Sequence, residues 1–211
     1  MPRTGVHPAS VGAAEYRRGM AEITMTPATT AQWNDVQSAL TGGGDGRSCQ
    51  CMWPVLSNAD WRTTTVDERE RMLRDEIDAG PPPGLVAYVD GAPAGWVRVG
   101  PRPTQQRLGR SRIVKTGTAE PLDDDSVWAV SCFSVRREHR RQGLVGELLQ
   151  GAIRYARERG ARVLEAYPID VAAGKTSSNA LFVGSLSTFQ EAGFDLIAHP
   201  TETRAVVSLT L

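Results

Sequence analysis

The sequence shows its clearest potential for chemistry between Val135 and Gly146, where the residues read VRREHRRQGLVG. A strand-like run ends there, an arginine-rich turn follows, and a helix-like run begins at a glycine. Because the first amides of a helix are unpaired and lie at the positive end of its dipole, this junction can bind a phosphate or pyrophosphate. Gly143 and Gly146 would keep side chains away from such an anion. The alternative is an ordinary strand–helix connection with a basic surface turn.

The chain has three cysteines, Cys49, Cys51 and Cys132. An odd number predicts no disulfide framework. The Cys-x-Cys pair resembles half of a metal site, but no histidine or third cysteine lies near it in sequence. We therefore expect packing roles in a reducing compartment, and no bound metal.

Apolar runs and turn residues predict the elements of the first half of the chain. Residues 1–19 are small and polar, which predicts a disordered tail before a single domain at 20–211. The elements expected next are a strand at Glu22–Met25, a helix after Thr29 or Thr30 with Trp33, Val36, Ala39 and Leu40 on one face, an irregular stretch at Arg47–Asn58, a helix at Thr65–Ala79, and a hairpin of Leu85–Val89 and Ala94–Val99 around Asp90–Gly91.

The second half alternates strands and helices. Pro101–Ser126 is long for a loop and rich in arginine, so it is a candidate substrate lid, or else a solvated charged loop. The elements expected after it are a buried strand at Val127–Val135, an amphipathic helix at Gly143–Arg159, a strand at Ala161–Ile169, a short helix at Ser185–Ala192, and a strand pair at Asp195–Ala198 and Arg204–Leu211. This order predicts one α/β domain with no internal repeat.

Composition excludes several classes of protein. The 211 residues carry 24 basic and 24 acidic side chains, so the net charge is zero and no nucleic acid is expected as a partner. No apolar run reaches the about 18 residues that a membrane span needs, and no signal peptide is recognisable. We expect a cytoplasmic protein that does not bind membranes; a homodimer is compatible with the sequence.

The residues around Arg140 resemble the signature of the GNAT superfamily of acetyl-CoA-dependent N-acetyltransferases. That signature is Arg or Gln, two residues, Gly, one residue, then Gly or Ala, and Arg140, Gly143 and Val145 occupy its places. The segment from Phe189 to Phe194 also matches the family. The EAYP run from Glu165 and the CMW run from Cys51 are similar to a poorly characterised bacterial branch.

The resemblance implies a mixed, mostly antiparallel sheet, flanked by helices and splayed between Val127–Val135 and Ala161–Ile169. It also implies that acetyl-CoA is the cosubstrate and that acetyl passes directly to an amine of a small molecule or peptide. Backbone near Cys132–Ser134 would stabilise the oxyanion of the reacting thioester. The residues implied to bind acetyl-CoA are Phe133, Ser134 and Val135 on the strand, with Arg140, Arg141, Gln142, Gly143, Leu144, Val145 and Gly146 around the pyrophosphate.

Two departures from the family pattern concern the leaving thiolate. Many members have a tyrosine in the short helix before Gly-Phe that can protonate the thiolate, whereas this chain has Phe189. An asparagine often found earlier is also absent, with Phe182 near its place. A thiol pKa of about 8.5 lets a thiolate leave without a donor, so the activity is still expected.

In the family, the acceptor meets the N-terminal helices and the loops over the splay. That region supplies Cys49, Cys51 and Trp53, together with Arg102 of the arginine-bearing loop, as candidate substrate-binding residues. Sulfur and aromatic groups beside a few polar ones suit a small, partly apolar ligand. The alternative is that Trp53 belongs to the core.

Glu165 and Tyr167 are the candidate catalytic residues. Alternation along a strand places them on one side, and a glutamate on a buried strand is costly without a task or partner. We expect Glu165 to act as the base for the amine, directly or through water, and Tyr167 to supply the hydroxyl missing at Phe189. The alternative is a Glu165 paired to an arginine and a Tyr167 packed at the strand end.

Three other functions stay open. A nucleophilic Cys132 would need a base, and the only histidine near it in sequence is His139, in the arginine-rich turn that could bind a phosphate. A protein that binds acyl-CoA without catalysis, such as a sensor, is the main alternative to an enzyme. A hydrolase or another acyl-CoA enzyme is the third.

Overall fold

Seven strands form one sheet in the order β1-β2-β3-β4-β5-β7-β6. The structure is a computed structural model, and it describes residues 21–174, 176–177 and 179–211. The strands are β1 (Ile23–Pro27), β2 (Gly84–Val89), β3 (Ala92–Pro101), β4 (Val127–Val135), β5 (Val163–Ala166), β6 (Asp195–Thr201) and β7 (Arg204–Thr210). Only the β4–β5 pair is parallel among these described strands, and the other neighbouring pairs are antiparallel. The expected mixed, mostly antiparallel fold in a single domain is confirmed.

Helices cover the sheet on both faces. They are α1 (Trp33–Thr41), α2 (Gly46–Cys49), α3 (Asn58–Thr63), α4 (Val66–Ala79), α5 (Gln106–Arg110), α6 (Arg112–Gly117), α7 (Leu144–Glu158) and α8 (Leu186–Glu191). One-turn 3-10 helices lie at Thr30–Gln32, Arg102–Thr104, Arg137–His139 and Ala180–Val183. α7 packs its apolar side, including Leu148 and Ala152, into the main core. α1 and α4 form a second core with Trp96 and Cys51 on the other side.

β4 and β5 separate part-way along the sheet. Their pairing extends from Val127 opposite Val163 to Val130 opposite Ala166, and no further. Pro168 follows soon after β5, and proline cannot donate a ladder hydrogen bond. β4 continues to Val135, paired with β3 on its other edge. The sheet therefore opens into a wedge beside the second half of β4.

Several predicted elements agree closely with the structure. The hairpin forms around Asp90 and Gly91, whose φ angles of 50° and 79° suit a tight two-residue turn. Thr65 caps α4 with a reciprocal bond to Glu68. Gly143 is the N-cap of α7.

Other expectations are corrected. The strand expected at Ala161–Ile169 is limited to Val163–Ala166, because Pro168 ends the ladder. Pro101–Ser126 is not a structureless loop, since α5, α6 and a 3-10 turn occupy most of it. The irregular stretch Arg47–Asn58 shares residues with α2, and α3 was not expected at all. The predicted tail at 1–19 lies outside the described residues.

The core packing of α7 predicts a large cost for truncating Leu148, which is fully buried. We expect Leu148→Ala to lower the free energy of unfolding by about 2–5 kcal/mol, since it removes buried methyl groups and leaves a cavity. Denaturant unfolding measures this change. The matched control is Leu196→Ala in β6, where the residue is 42% exposed and the free energy of unfolding should change by about 0.5 kcal/mol or less. Equal losses in the two variants would contradict the assignment of α7 to the core.

Candidate active site

The turn between β4 and α7 forms a concavity lined by backbone amides. Arg141 and Gly143 have left-handed φ angles of 60° and 78°. Among the described residues, the amides of Gly143, Leu144 and Val145 have no hydrogen-bond acceptor. These amides lie at the positive end of a 15-residue helix. A Cβ atom built on Gly143 would meet nothing within 4 Å, so space for a ligand lies directly in front of the turn.

Contacts with α1 hold this turn in place. The Arg136 guanidinium donates to the Ser38 carbonyl at 2.8 Å, and the Arg137 amide donates to the Gly42 carbonyl at 3.1 Å. Arg140 donates to the Val135 carbonyl at 3.1 Å and lies against Gly43, where a Cβ would approach its Nη2 to 3.0 Å. The glycines after α1 therefore make room for a guanidinium at the mouth of the concavity.

A cavity of about 940 Å³ extends from this turn along the open edge of β4. Every predicted acetyl-CoA residue lines it except Gln142, whose side chain donates to the Glu138 carbonyl at 2.9 Å. Cys49, Cys51 and Trp53, predicted to bind the acceptor, line this cavity as well. Its volume falls within the range of cofactor sites in proteins.

A second cavity, of about 410 Å³, lies between β4, β7 and the α5–α6 segment. Trp53 and Phe182 line both cavities, so the two meet at these rings. Arg107 stacks over Trp53 with its guanidinium carbon 3.7 Å from the ring centroid. Ser131 and Tyr167 line the second cavity from the side of the sheet. The site therefore has two compartments that join beside β4.

Glu165 and Arg102 form an ion pair beneath the second cavity. Arg102 Nη1 lies 2.6 Å from Glu165 Oε2, and the two side chains are 0% and 1% exposed. The Thr118 hydroxyl donates to the other carboxylate oxygen. Neither Arg102 nor Glu165 lines either cavity. The pair joins β5 to the segment that carries α5 and α6.

Tyr167 connects this pair to the cavity. Its hydroxyl donates to Glu165 Oε2 at 2.8 Å, so the two candidate catalytic residues are in contact. Burial and the neighbouring carboxylate raise the pKa of Tyr167 well above its ordinary value. The hydroxyl therefore stays protonated at neutral pH, and Tyr167 is the cavity-lining residue in contact with Glu165.

The cysteines form a buried group beside β4. The indole N–H of Trp96 donates to Cys51 Sγ at 3.0 Å. Burial opposes ionisation of Cys51, but hydrogen bonds from the Cys132 thiol and Trp96 and the charge of Arg98 lower its pKa to about 7. The shared proton and burial raise the pKa of Cys132 well above the ordinary value, which disfavours Cys132 as a nucleophile. His139 lines the larger cavity at the turn between β4 and α7.

Phe189 is fully buried against Phe133 and Phe194, at centroid distances of 6.1 and 5.2 Å. A ring at this position packs in the core of the sheet and offers no hydroxyl. The polar groups that line the larger cavity from α8 are instead Thr188 and Glu191.

Sequence reasoning missed Ser131, Phe182 and Arg204. Ser131 lies where the register between β3 and β4 shifts, and such a bulge leaves no local sequence signal. Arg204 reaches the second cavity from the start of β7, far along the chain. Of these three residues, only Phe182 had a signal in the sequence, because it lies near the place of the asparagine found in many family members.

A model of the acetyltransferase (GNAT) family matches residues 53–183. The chain belongs to the GNAT family. The match covers the wedge, the phosphate turn, α7 and β5. No curated protein sequence matches the chain.

Solved structures of GNAT proteins share the fold at low sequence identity. A GCN5-related N-acetyltransferase from Kribbella flavida is 18% identical with a TM-score of 0.53, over 90% of this chain and 98% of that one. The PaiA N-acetyltransferase from Thermoplasma acidophilum, solved in complex with coenzyme A, is 11% identical with a TM-score of 0.51, over 90% and 99%. A ribosomal-protein-alanine N-acetyltransferase from Brucella melitensis is 18% identical with a TM-score of 0.52, over 89% and 99%.

The described residues show neither a membrane-spanning helix nor a cluster of metal ligands. None of the helices in this part of the chain is long and apolar enough to cross a membrane. Nor do these residues contain a group of three or more His, Cys, Asp or Glu side chains arranged to hold a metal ion.

The buried ion pair predicts a large loss of stability for Glu165→Gln. The change leaves the Arg102 charge buried without compensation, so we expect the free energy of unfolding to fall by about 3–5 kcal/mol. The matched control is Glu120→Gln, which breaks a pair with Arg162 at 2.6 Å whose side chains are 22% and 49% exposed. That change should cost less than about 1 kcal/mol in denaturant unfolding. Equal, small losses would show that the buried pair is not structural.

Proposed function

We propose that this protein transfers acetyl from acetyl-CoA directly to an amine of a small molecule or peptide. The observation that carries the proposal is the meeting of two cavities at Trp53 and Phe182, beside the unpaired edge of β4. One cavity ends at the unpaired amides before α7, and the other is lined by Tyr167. Membership of the GNAT family supports this chemistry. The free thiols of Cys49, Cys51 and Cys132 suit a reducing cytoplasm.

The larger cavity is the proposed acetyl-CoA site. Amides of Gly143, Leu144 and Val145 would bind the pyrophosphate, and backbone of Phe133–Val135 would pair with the pantetheine arm. The fit rests on the unpartnered amides and on the open space before Gly143 and Gly146. The related Thermoplasma acidophilum structure contains coenzyme A, which supports the same ligand class here. Acetyl-CoA supplies the thioester carbon that the amine attacks.

The smaller cavity is the proposed acceptor site. The amine nitrogen forms a bond to the acetyl carbon, the carbon–sulfur bond breaks, and the sulfur leaves as thiolate with its electron pair. The amine must lose a proton in the process. Tyr167 can accept that proton at its hydroxyl oxygen while passing its own proton to Glu165 Oε2, 2.8 Å away. In this relay Tyr167 touches the substrate, and Glu165, oriented by Arg102, is the final base.

Binding of acyl-CoA without catalysis is the second candidate. The observation that favours it is Phe189, which is buried and leaves the thiolate without the tyrosine found in many relatives. Thiol release from acetyl-CoA across a broad panel of amines separates the two functions. Turnover that depends on the amine supports the transferase, and tight CoA binding without turnover supports the sensor.

Placing a carboxylate in the phosphate turn tests the cofactor site. We expect Gly143→Asp to weaken CoA binding by about tenfold or more, since a like charge at a partly desolvated anion site costs at least about 1.4 kcal/mol. Calorimetric titration with CoA measures the dissociation constant.

Two controls separate charge from backbone strain. Gly143→Asn has the same shape without the charge and should lose less affinity. Gly160→Asp adds the same side chain at the far end of α7, where φ is also positive at 77° and nothing lies within 4 Å of the new Cβ. It should leave CoA binding unchanged. A Gly143→Asp protein that is folded and binds CoA normally would reject the pyrophosphate placement.

Removing the Tyr167 hydroxyl tests the proton relay without breaking the ion pair. We expect Tyr167→Phe to lower kcat by at least about tenfold at neutral pH and to leave CoA affinity unchanged. The loss should shrink as pH rises, because the amine then deprotonates by itself. Tyr155→Phe, which removes a hydroxyl bonded to the Pro82 carbonyl away from both cavities, is the control. A constant ratio of rates across the pH range would exclude the relay.

A further inference from the structure

We infer that the amine acceptor also carries an oxyanion, such as a carboxylate or a phosphate-type group, and that Arg204 binds it. The inference rests on the proposed function, because it assigns a substrate class to the same acceptor cavity. It follows from the charges in that cavity and from polar groups that lack partners there.

The acceptor cavity is strongly one-sided in charge. Among the described residues, its lining includes Arg107, Arg110, Arg112 and Arg204 and no acidic residue. None of these arginines takes part in a salt bridge with a described residue. The chain as a whole has zero net charge, so this concentration of positive charge is local. A free amine is itself cationic at neutral pH, so an acceptor with several ammonium groups and no anion, such as a polyamine, would be repelled more than one whose ammonium is balanced by an oxyanion.

Arg204 is the decisive group, because it is half-buried and its charge is uncompensated. Its Nη2 donates to the Tyr167 carbonyl at 2.7 Å. Its Nε is buried and has no partner among the described residues. Burial lowers the pKa of this guanidinium below its ordinary value, which records the cost of holding the charge there. An oxyanion would satisfy the free N–H and the charge together.

Ser131 supplies a second unpartnered group in the same cavity. The residue is 5% exposed, and its buried hydroxyl has no hydrogen-bond partner among the residues that the structure describes. Buried polar groups are nearly always paired, by protein, water or ligand. Ser131 therefore offers one more donor to a polar ligand in this compartment, on the side of β4.

The other three arginines of the acceptor cavity differ in their hydrogen bonds and in their exposure to solvent. Arg107 is held by the carbonyls of Trp53 and Ser57, so it shapes the wall of the cavity. Arg110 and Arg112 are exposed and can attract an anion into the cavity from solution. Arg204 donates to the backbone carbonyl of Tyr167, so the proposed anion site lies beside the main chain of the residue whose hydroxyl is the proposed proton acceptor.

Matched amines test the inference by binding, independently of turnover. The full-length protein, saturated with CoA so that the pyrophosphate site is filled, is titrated calorimetrically with 4-aminobutyrate and with butylamine. A second pair is 3-aminopropylphosphonate and propylamine, which distinguishes a phosphonate from a carboxylate. In at least one pair, we expect the member that carries the oxyanion to bind about tenfold tighter or more than the plain amine. Equal binding within both pairs, or no binding of either anion at millimolar concentration, would overturn the inference.

Variants assign the preference to Arg204. Arg204→Gln should abolish the preference for the amine that carries the oxyanion, and it should leave the binding of butylamine, propylamine and CoA unchanged. Arg204→Lys should retain part of the preference, and it replaces Arg204→Gln if the latter does not fold. The control is Arg154→Gln, an exposed arginine of α7 that lines neither cavity. A preference that survives Arg204→Gln, or a parallel loss of CoA affinity, would overturn the assignment.

Kinetics with acetyl-CoA then separate this inference from the proposed function. Anionic amines that bind through Arg204 without releasing thiol would support the anion site and reject the transferase. Turnover of both members of each pair at equal kcat/KM, unaffected by Arg204→Gln, would support the transferase and reject the anion site.

Discussion

The site depends on one constraint, which is that β4 and β5 cannot stay paired beyond Val130 and Ala166. Pro168 has no amide hydrogen to continue the ladder, and the bulge at Ser131 changes the register of β4 against β3. Two adjacent strands that separate leave backbone groups along one edge of β4 without a strand partner. In the middle of a sheet that arrangement is unfavourable unless something else fills the wedge. The two cavities occupy this opening, so the break in the sheet and the binding site have the same physical cause.

The buried ion pair of Arg102 and Glu165 sets one wall of the opening. It ties β5 to the start of the segment that carries α5 and α6, at a point where neither side chain reaches solvent. Desolvating two charges is costly, and such pairs are not generally more stable than apolar packing. The pair here has a further consequence, because the Tyr167 hydroxyl donates to the same carboxylate. In the proposed relay, stability and proton transfer are therefore linked through Glu165, and a kinetic effect of changing this residue can be interpreted only together with a measurement of folding.

Local patterns predicted much of the fold and only part of the site. The Asp90–Gly91 turn and the glycine before α7 are determined by residues that are neighbours in sequence, and the structure agrees at both places. The amide concavity could be predicted for the same reason, since the turn and the helix start are contiguous. Alternation overestimated the length of β5, because it took no account of Pro168, which cannot donate a ladder hydrogen bond. Arg204 reaches the cavity through the β5–β7 pairing, and no local pattern records a contact between strands so distant in sequence.

The two compartments would contact an anion through different groups, backbone amides in the larger one and arginine side chains in the smaller one. At the turn before α7, backbone amides would supply the contacts of the proposed donor site, while the exposed Arg141 lies at the edge. These amides are fixed by the backbone and suit a group common to every reaction cycle. In the proposed acceptor cavity the contacts would be side chains, above all Arg204. Under the proposed function, the backbone would therefore recognise the donor and side chains would recognise the acceptor.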